Sequence, residues 1–355
     1  MAGLVAAARA RELGARPTVL EKGDRPGGSM LLSSGVIWRF RTFDEYRAEC
    51  PSGDPALQRL VTERLDDALH WLESLGAPVT ERETGNPRTV GRRFDARGLT
   101  EALVRAAGNV RLGHGQVPGT GTPPEEPVVL ATGGFQGSAE LVDRYVAPAA
   151  PLRLRANPWS RGDGLQVGLE AGASTSAAMD EFYGRNMADV DFDEADFVPL
   201  AQLYGRFARV YNERGEEFFD REVSWSENDL VQATARQPGA RAWYVVDEQA
   251  LEQRVRERTV REIVAAAPTR VDPSELPFAA PQGAVAAVRV AASITHTIGG
   301  LRVDDRARVV DERGEPREGL YTAGADAGGL SGGGYASGLA AALVLGRIAA
   351  ESAVT

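Results

Sequence analysis

The chain opens on MAGLVAAARARELGARPTVLEKGDRPGG, and no other stretch constrains its fold as tightly. Gly3 precedes a run of good helix formers, Leu4–Leu13, and Gly14 follows where a left-handed C-terminal cap favours glycine. Pro17-Thr18-Val19-Leu20 is short, apolar and partly β-branched, which predicts a strand. That strand ends on Glu21, about 20 residues after a glycine at a helix start. Glycine, helix, strand and terminal acid form the second half of a βαβ unit of the kind that holds dinucleotides. The first strand and the first two glycines of G-x-G-x-x-G do not precede them, and Met1 stands where the loop itself would run. The spacing therefore predicts roughly 10 further residues upstream, carrying a strand and two glycines.

With 355 residues the chain can bury a large core in one or two domains. Its net charge of −10 disfavours nucleic acid as a partner, because phosphate binding needs a concentrated positive surface. Lys22 is the single lysine among 40 basic residues, as expected of arginine-biased codon usage. Cys50 has no second cysteine for a disulfide or a thiolate metal site, so no metal is expected. No apolar run reaches the roughly 18 residues of a membrane span, and no signal peptide is legible. The expectation is a soluble cytoplasmic protein.

Further along, Gly27-Gly28-Ser29 and Ser33-Ser34-Gly35 make a small-residue loop suited to close backbone approach. Residues 56–75 carry Leu57, Leu60, Val61, Leu65, Leu69 and Leu72 at helical spacing, and Asp95–Ala107 predicts another helix. Residues 112–127 are rich in Gly, Pro and Thr, a loop. Val128–Ala131 then reads as a buried strand running into Thr132-Gly133-Gly134. Asp163 and Gly164 open a helix over 165–171. From 176 to 290 aromatic and acidic residues crowd in and glycine thins, which predicts a second domain inserted between 1–175 and 291–355. Beyond it lie HTIGGLRVD, then GLYTAGADAGG, then a glycine run that opens the alanine-rich helix Ser337–Arg347. A helix start of that kind turns free N–H groups toward whatever lies in the crevice.

In this order the motifs resemble the flavoprotein family that contains fumarate reductase and succinate dehydrogenase flavoprotein subunits, 3-ketosteroid 1-dehydrogenase and tricarballylate dehydrogenase. The resemblance rests on LEK at 20–22, GGS at 27–29, SSG at 33–35, VVLATGGF at 128–135, GDG at 162–164, VYNERGEEFFDRE at 210–222, HTIGGLRVD at 296–304 and GLYTAGADAGG at 319–329. It implies an α/β fold: a Rossmann-like FAD-binding domain, here without its first strand and GxG, and an inserted α+β capping domain. It also implies FAD. The residues expected to hold it are Gly3, Glu21 and Lys22; Gly27, Gly28, Ser29, Ser34 and Gly35; Ala131, Thr132, Gly133, Gly134 and Asp163; then Gly324, Asp326, Ser337, Gly338 and Leu339. None of the three histidines lies in the 27–35 loop, where one branch of the family attaches its flavin, so the FAD is expected to be non-covalent.

For the chemistry, the resemblance implies hydride transfer at flavin N5 and one managed proton. His296 matches a substrate-contacting histidine of the fumarate reductases. Two of their cationic groups are displaced here: Glu217 stands at one arginine position and Tyr335 at another, and Arg221 is the nearest replacement for the catalytic arginine. A dicarboxylate needs such charges. Tyr335, before a glycine-containing turn, resembles the ketone-polarising tyrosine of the ketosteroid dehydrogenases, and Tyr183 is a second phenol. Ala325 replaces the family's ribityl-binding acid, with Asp326 beside it. The expected activity is thus FAD-dependent oxidation or reduction of a C–C bond next to a carbonyl, on a small molecule, with an electron donor or acceptor of unspecified identity. The alternatives are a non-catalytic remnant that binds FAD weakly or not at all, and a fumarate reductase-like dicarboxylate enzyme.

Overall fold

The computed structural model describes residues 1–115 and 124–355, so half of the loop expected over 112–127 lies outside the described residues. The chain packs as two compact units. The first comprises Met1–Leu141, Asn157–Glu181 and His296–Thr355, and the second Val142–Ala156 and Phe182–Thr295. The second thus begins and ends about five residues later than the sequence suggests and also takes in Val142–Ala156, whose polar and apolar residues carry no boundary signal of their own.

In the first unit, helix Ala2–Glu12 buries Leu4, Val5 and five alanines. It ends where Gly14 takes φ +91°, the conformation that glycine adopts at least cost. Its small side chains let it approach helix Gly338–Val354 closely: a Cβ on Gly346 would stand 2.9 Å from the Ala2 carbonyl oxygen. Strand Val19–Glu21 pairs in parallel with Val110–Leu112, Val19 opposite Val110. Strand Val128–Leu130 pairs in parallel with Pro316–Thr322, Val128 opposite Leu320, and Arg308–Val310 flanks the latter antiparallel. These parallel pairs with helices packed beside them are the dinucleotide-binding layout. A smaller antiparallel sheet, Val36–Phe40 against Thr89–Phe94 against Val79–Glu81, lies in the same unit. Helix Pro55–Ser74 starts where Asp54 accepts the Ala56 and Leu57 N–H groups ahead of its Pro55, and it buries Leu57, Val61, Leu65, Leu69 and Leu72 as the spacing predicts.

The second unit is α+β. Its spine is the long strand Ala286–Thr297, which pairs with Arg241–Val246 and Arg270–Val271 along its first half, with Arg153–Leu154 in parallel further on, and with Phe182–Ala188. Tyr204, Leu230, Tyr244, Val246, Val288 and Val290 form the core on one side of this sheet. Among the described residues no helix is long and apolar enough to cross a membrane.

Candidate functional site

In the first unit, segments distant in sequence converge. A Cβ on Gly3 would stand 3.4 Å from that of Ala131, and one on Gly324 would stand 3.1 Å from that of Ala2. The start of helix Ala2–Glu12, the end of strand Val128–Leu130 and the turn after Pro316–Thr322 therefore meet at one point. Glu21 joins them. It ends the strand Val19–Glu21, which lies against helix Ala2–Glu12. One of its oxygens accepts the Gly23 N–H at 2.8 Å, which keeps the acid turned back over its own strand end.

Next to it, Lys22 Nζ meets Asp163 Oδ2 at 2.7 Å, a half-exposed pair of the kind that contributes little to stability and more to placement. The following Gly164 N–H donates to Thr132 Oγ1 at 2.9 Å. Thr132 is also held by Asp326. The Asp326 carboxylate, 1% exposed, accepts from the Thr132 N–H and hydroxyl, from the Gly133 N–H at 3.3 Å and from the Gly134 N–H at 2.9 Å. Burial raises its pKa, and the same N–H donors pull it back. Asp326 thus anchors the Thr132-Gly133-Gly134 turn, and at that burial the turn is what it touches.

Gly27 and Gly28 take φ +109° and +53° and let the chain enter the short turn Gly28–Met30. Asn157 Nδ2 donates to Ser29 Oγ at 2.8 Å, while its Oδ1 accepts the N–H groups of Trp159 and Ser160. Nothing outside its chain neighbours comes nearer than 3.8 Å to a Cβ built on Gly28, so one side of this loop is open. Gly35 cannot be replaced, since a Cβ there would lie 2.0 Å from the Phe94 carbonyl oxygen. Ser33 rather than the exposed Ser34 bonds the Gly35 N–H, at 3.1 Å. Asn157 and Trp159, which packs on Gly23, were not legible as site residues, because their partners lie more than a hundred residues away.

Helix Gly338–Val354 starts at Ser337, whose hydroxyl accepts the Ala340 N–H at 3.3 Å. A Cβ on Gly338 would stand 3.2 and 3.3 Å from His296 Cε1 and Nε2, so the imidazole lies against the helix start, with Leu339 half-buried one residue on. Burial pushes His296 from 6.5 down to about 4, and the ring is neutral at pH 7. The unfolded chain binds this proton more tightly than the folded one, so folding stability is full above about pH 6.5 and declines as the pH falls toward 4. The expected loss is about 2–3 kcal/mol, read as the difference in urea unfolding between wild type and His296→Gln at about pH 4.5 and about pH 7. Equal pH dependence in the two proteins would remove His296 as the cause.

Tyr335 sits on the Gly332–Gly334 turn, half-buried, its ring edge-on to Trp38 at 5.7 Å between centroids. Its backbone N–H bonds the buried Cys50 thiol, whose pKa burial pushes upward, leaving the sulfur an inert part of the turn. Tyr183 and Arg221 belong to the second unit. Tyr183 lies on strand Phe182–Ala188 with the Arg185 guanidinium 5.0 Å from its ring centroid, and Arg221 is exposed with its guanidinium 5.0 Å from the Phe219 ring.

A family model described as FAD binding domain matches the chain over residues 1–117 and 125–339, which takes in all of these segments. The chain belongs to the FAD binding domain family. It is 24% identical to a probable fumarate reductase of Shewanella frigidimarina, over 99% of this chain and 73% of that protein. Among solved structures it resembles an open conformation of a flavocytochrome c3 fumarate reductase, with a TM-score of 0.73 at 21% identity over 99% of this chain and 76% of that one. It also resembles a 3-ketosteroid Δ1-dehydrogenase from Sterolibacterium denitrificans, with a TM-score of 0.71 at 17% identity over 99% and 97% of the two chains. The protein is an FAD-dependent oxidoreductase of this group.

The residues present fit that cofactor. Glu21 keeps an oxygen free of the Gly23 bond, and a carboxylate accepts ribose hydroxyls. The open side of Gly28 and the helix starts at Gly3 and Gly338 suit phosphate and ring. Glu21→Ala is expected to weaken FAD binding by about 1–3 kcal/mol, the range for orphaned buried hydrogen-bond partners. Unchanged affinity in a flavin titration would exclude Glu21 from the site.

Proposed function

We propose that the protein desaturates a carbon–carbon bond next to a ketone, or in reverse reduces an enone. The observation that carries this reading is the loss of the cations a dicarboxylate would need. Glu217, at one expected arginine position, is engaged by Arg209 at 2.6 Å, with the Tyr211 hydroxyl beside it at 3.3 Å. Tyr335, at another, packs on Trp38, and Arg221 is exposed on Phe219. An aromatic wall with a phenol suits an apolar ketone, whereas an unpaired carboxylate there would be costly.

FAD, when bound, supplies the two-electron acceptor or donor. In our reading the chain's own groups do the rest. Tyr335 donates its O–H to the ketone oxygen, which acidifies the adjacent C–H. Tyr183 takes that proton. His296, neutral at working pH, gives or accepts one hydrogen bond and adds no charge. The start of helix Gly338–Val354 favours negative charge close to it. The supporting test is a dye-coupled assay on the flavin-loaded protein with succinate and fumarate on one side and cyclic ketones and enones on the other. Turnover confined to the ketone series supports the reading, and turnover of fumarate or succinate alone overturns it.

A further inference from the structure

Tyr183 and Arg185 stand two positions apart on strand Phe182–Ala188, hence on one face of it. What holds them is a single tripeptide, Ser226-Glu227-Asn228. The Asn228 side chain, 2% exposed, brackets Tyr183: its Oδ1 accepts the Gly184 N–H at 3.2 Å and its Nδ2 donates to the Phe182 carbonyl at 3.1 Å. An amide places a donor and an acceptor side by side and so pairs with the strand backbone as a neighbouring strand would. A Cβ on Gly184 would lie 1.9 Å from the Ser293 carbonyl oxygen, so Gly184 has no room to move toward that strand.

Ser226 accepts a hydrogen bond from Arg185 Nη1 through its carbonyl. Between Ser226 and Asn228, Glu227 adopts φ +56°, a left-handed conformation that costs a long side chain on the order of 1 kcal/mol or more. That conformation accompanies an inward carboxylate, 3% exposed, which the Gly205 N–H and Arg206 Nε reach at 3.3 and 3.4 Å and the Arg206 backbone N–H also bonds. Burial raises its pKa while the Arg185 and Arg206 charges oppose the shift. A strained, buried acid of this kind is a poor stabiliser, and its charge is shared between the Arg185 and Arg206 guanidiniums.

We propose that Ser226-Glu227-Asn228 is a cradle that positions Tyr183 and Arg185 as one unit: Asn228 fixes the Tyr183 backbone, while Glu227 and the Ser226 carbonyl fix the guanidinium over the ring. The role this serves rests on the reading of Tyr183 as proton acceptor. In desaturation the proton passes from the carbon beside the ketone to the Tyr183 phenolate oxygen, which becomes the phenol. When bound, FAD would supply the acceptor for the second hydrogen and its electron pair, which the neighbouring carbon gives up as the C=C bond forms. Arg185 then supplies the positive charge that favours the phenolate before the transfer.

The test places 3-fluorotyrosine at position 183 of the flavin-loaded protein, with a second sample labelled at Tyr211 as control. The cradle predicts one sharp ¹⁹F line for position 183 that broadens or splits in Asn228→Ala and moves in Arg185→Met. Arg185→Lys, which keeps the charge, returns it toward the wild-type position, and the Tyr211 line stays in place throughout. With any ketone that the wild type turns over, Asn228→Ala is expected to lower kcat roughly 10- to 100-fold at unchanged KM, as for a small misplacement of a reacting group. A Tyr183 line indifferent to both substitutions overturns the cradle. A line that responds in a protein that turns over no ketone supports the cradle and overturns the ketone reading instead.

Discussion

Replacing Asp326 with alanine is expected to destabilise the first unit by about 3–5 kcal/mol and to weaken FAD binding by roughly 100-fold or more. The reason is local. Three backbone N–H groups and one hydroxyl, at Thr132, Gly133 and Gly134, share this one buried carboxylate. Each donor left without an acceptor costs about 1–3 kcal/mol, and the costs overlap because the turn relaxes as a piece. The same turn carries the Thr132 hydroxyl that accepts the Gly164 N–H, so its collapse also loosens Asp163 and its contact with Lys22. Asp326→Asn keeps one acceptor oxygen but turns N–H donors toward N–H donors, and is expected to lose most of the same stability. Urea unfolding and flavin titration of both variants check this. Wild-type values in Asp326→Ala would show that the turn closes without its anchor.

Tyr335→Phe is expected to lower turnover on a ketone by roughly 10²- to 10⁴-fold, the scale for a positioned proton donor. The ring keeps its edge-on contact with Trp38 in the variant, and the backbone bond to Cys50 does not involve the phenol, so fold and flavin spectrum should stay as they are. That separation makes the substitution informative. A drop in turnover with unaltered FAD affinity assigns the effect to the hydroxyl. Undiminished turnover would leave Tyr335 as packing.

How much of this could be read from the residues depends on the range of each signal. Helices at Ala2–Glu12, Pro55–Ser74 and Ala96–Ala107 were legible because helix-forming composition, apolar spacing or a terminal glycine lies within one element. The strand–turn pair at Val128–Gly134 was legible for the same reason. The role of Asp326 was not, since its partners are nearly 200 positions away and nothing local distinguishes an anchor from a cofactor ligand. Asn157, which ties the Gly28 loop to Ser160, is likewise silent in sequence. The second unit's boundary slipped to Thr295 because the strand Ala286–Thr297 runs on past the point where the composition changes. The inclusion of Val142–Ala156 follows from Arg153–Leu154 pairing with that strand from more than a hundred residues upstream.

Hydride exchange between FAD and the carbon β to a ketone is the core of the proposed function. Its most direct measurement is an anaerobic single turnover: the flavin-loaded protein is mixed with a stoichiometric cyclic ketone, and flavin bleaching is followed while the product is identified by mass and by its new double bond. The expected result is one enone formed per flavin reduced, loss of that bleaching in Tyr335→Phe, and no bleaching with succinate. Bleaching by succinate with none by any ketone would contradict it.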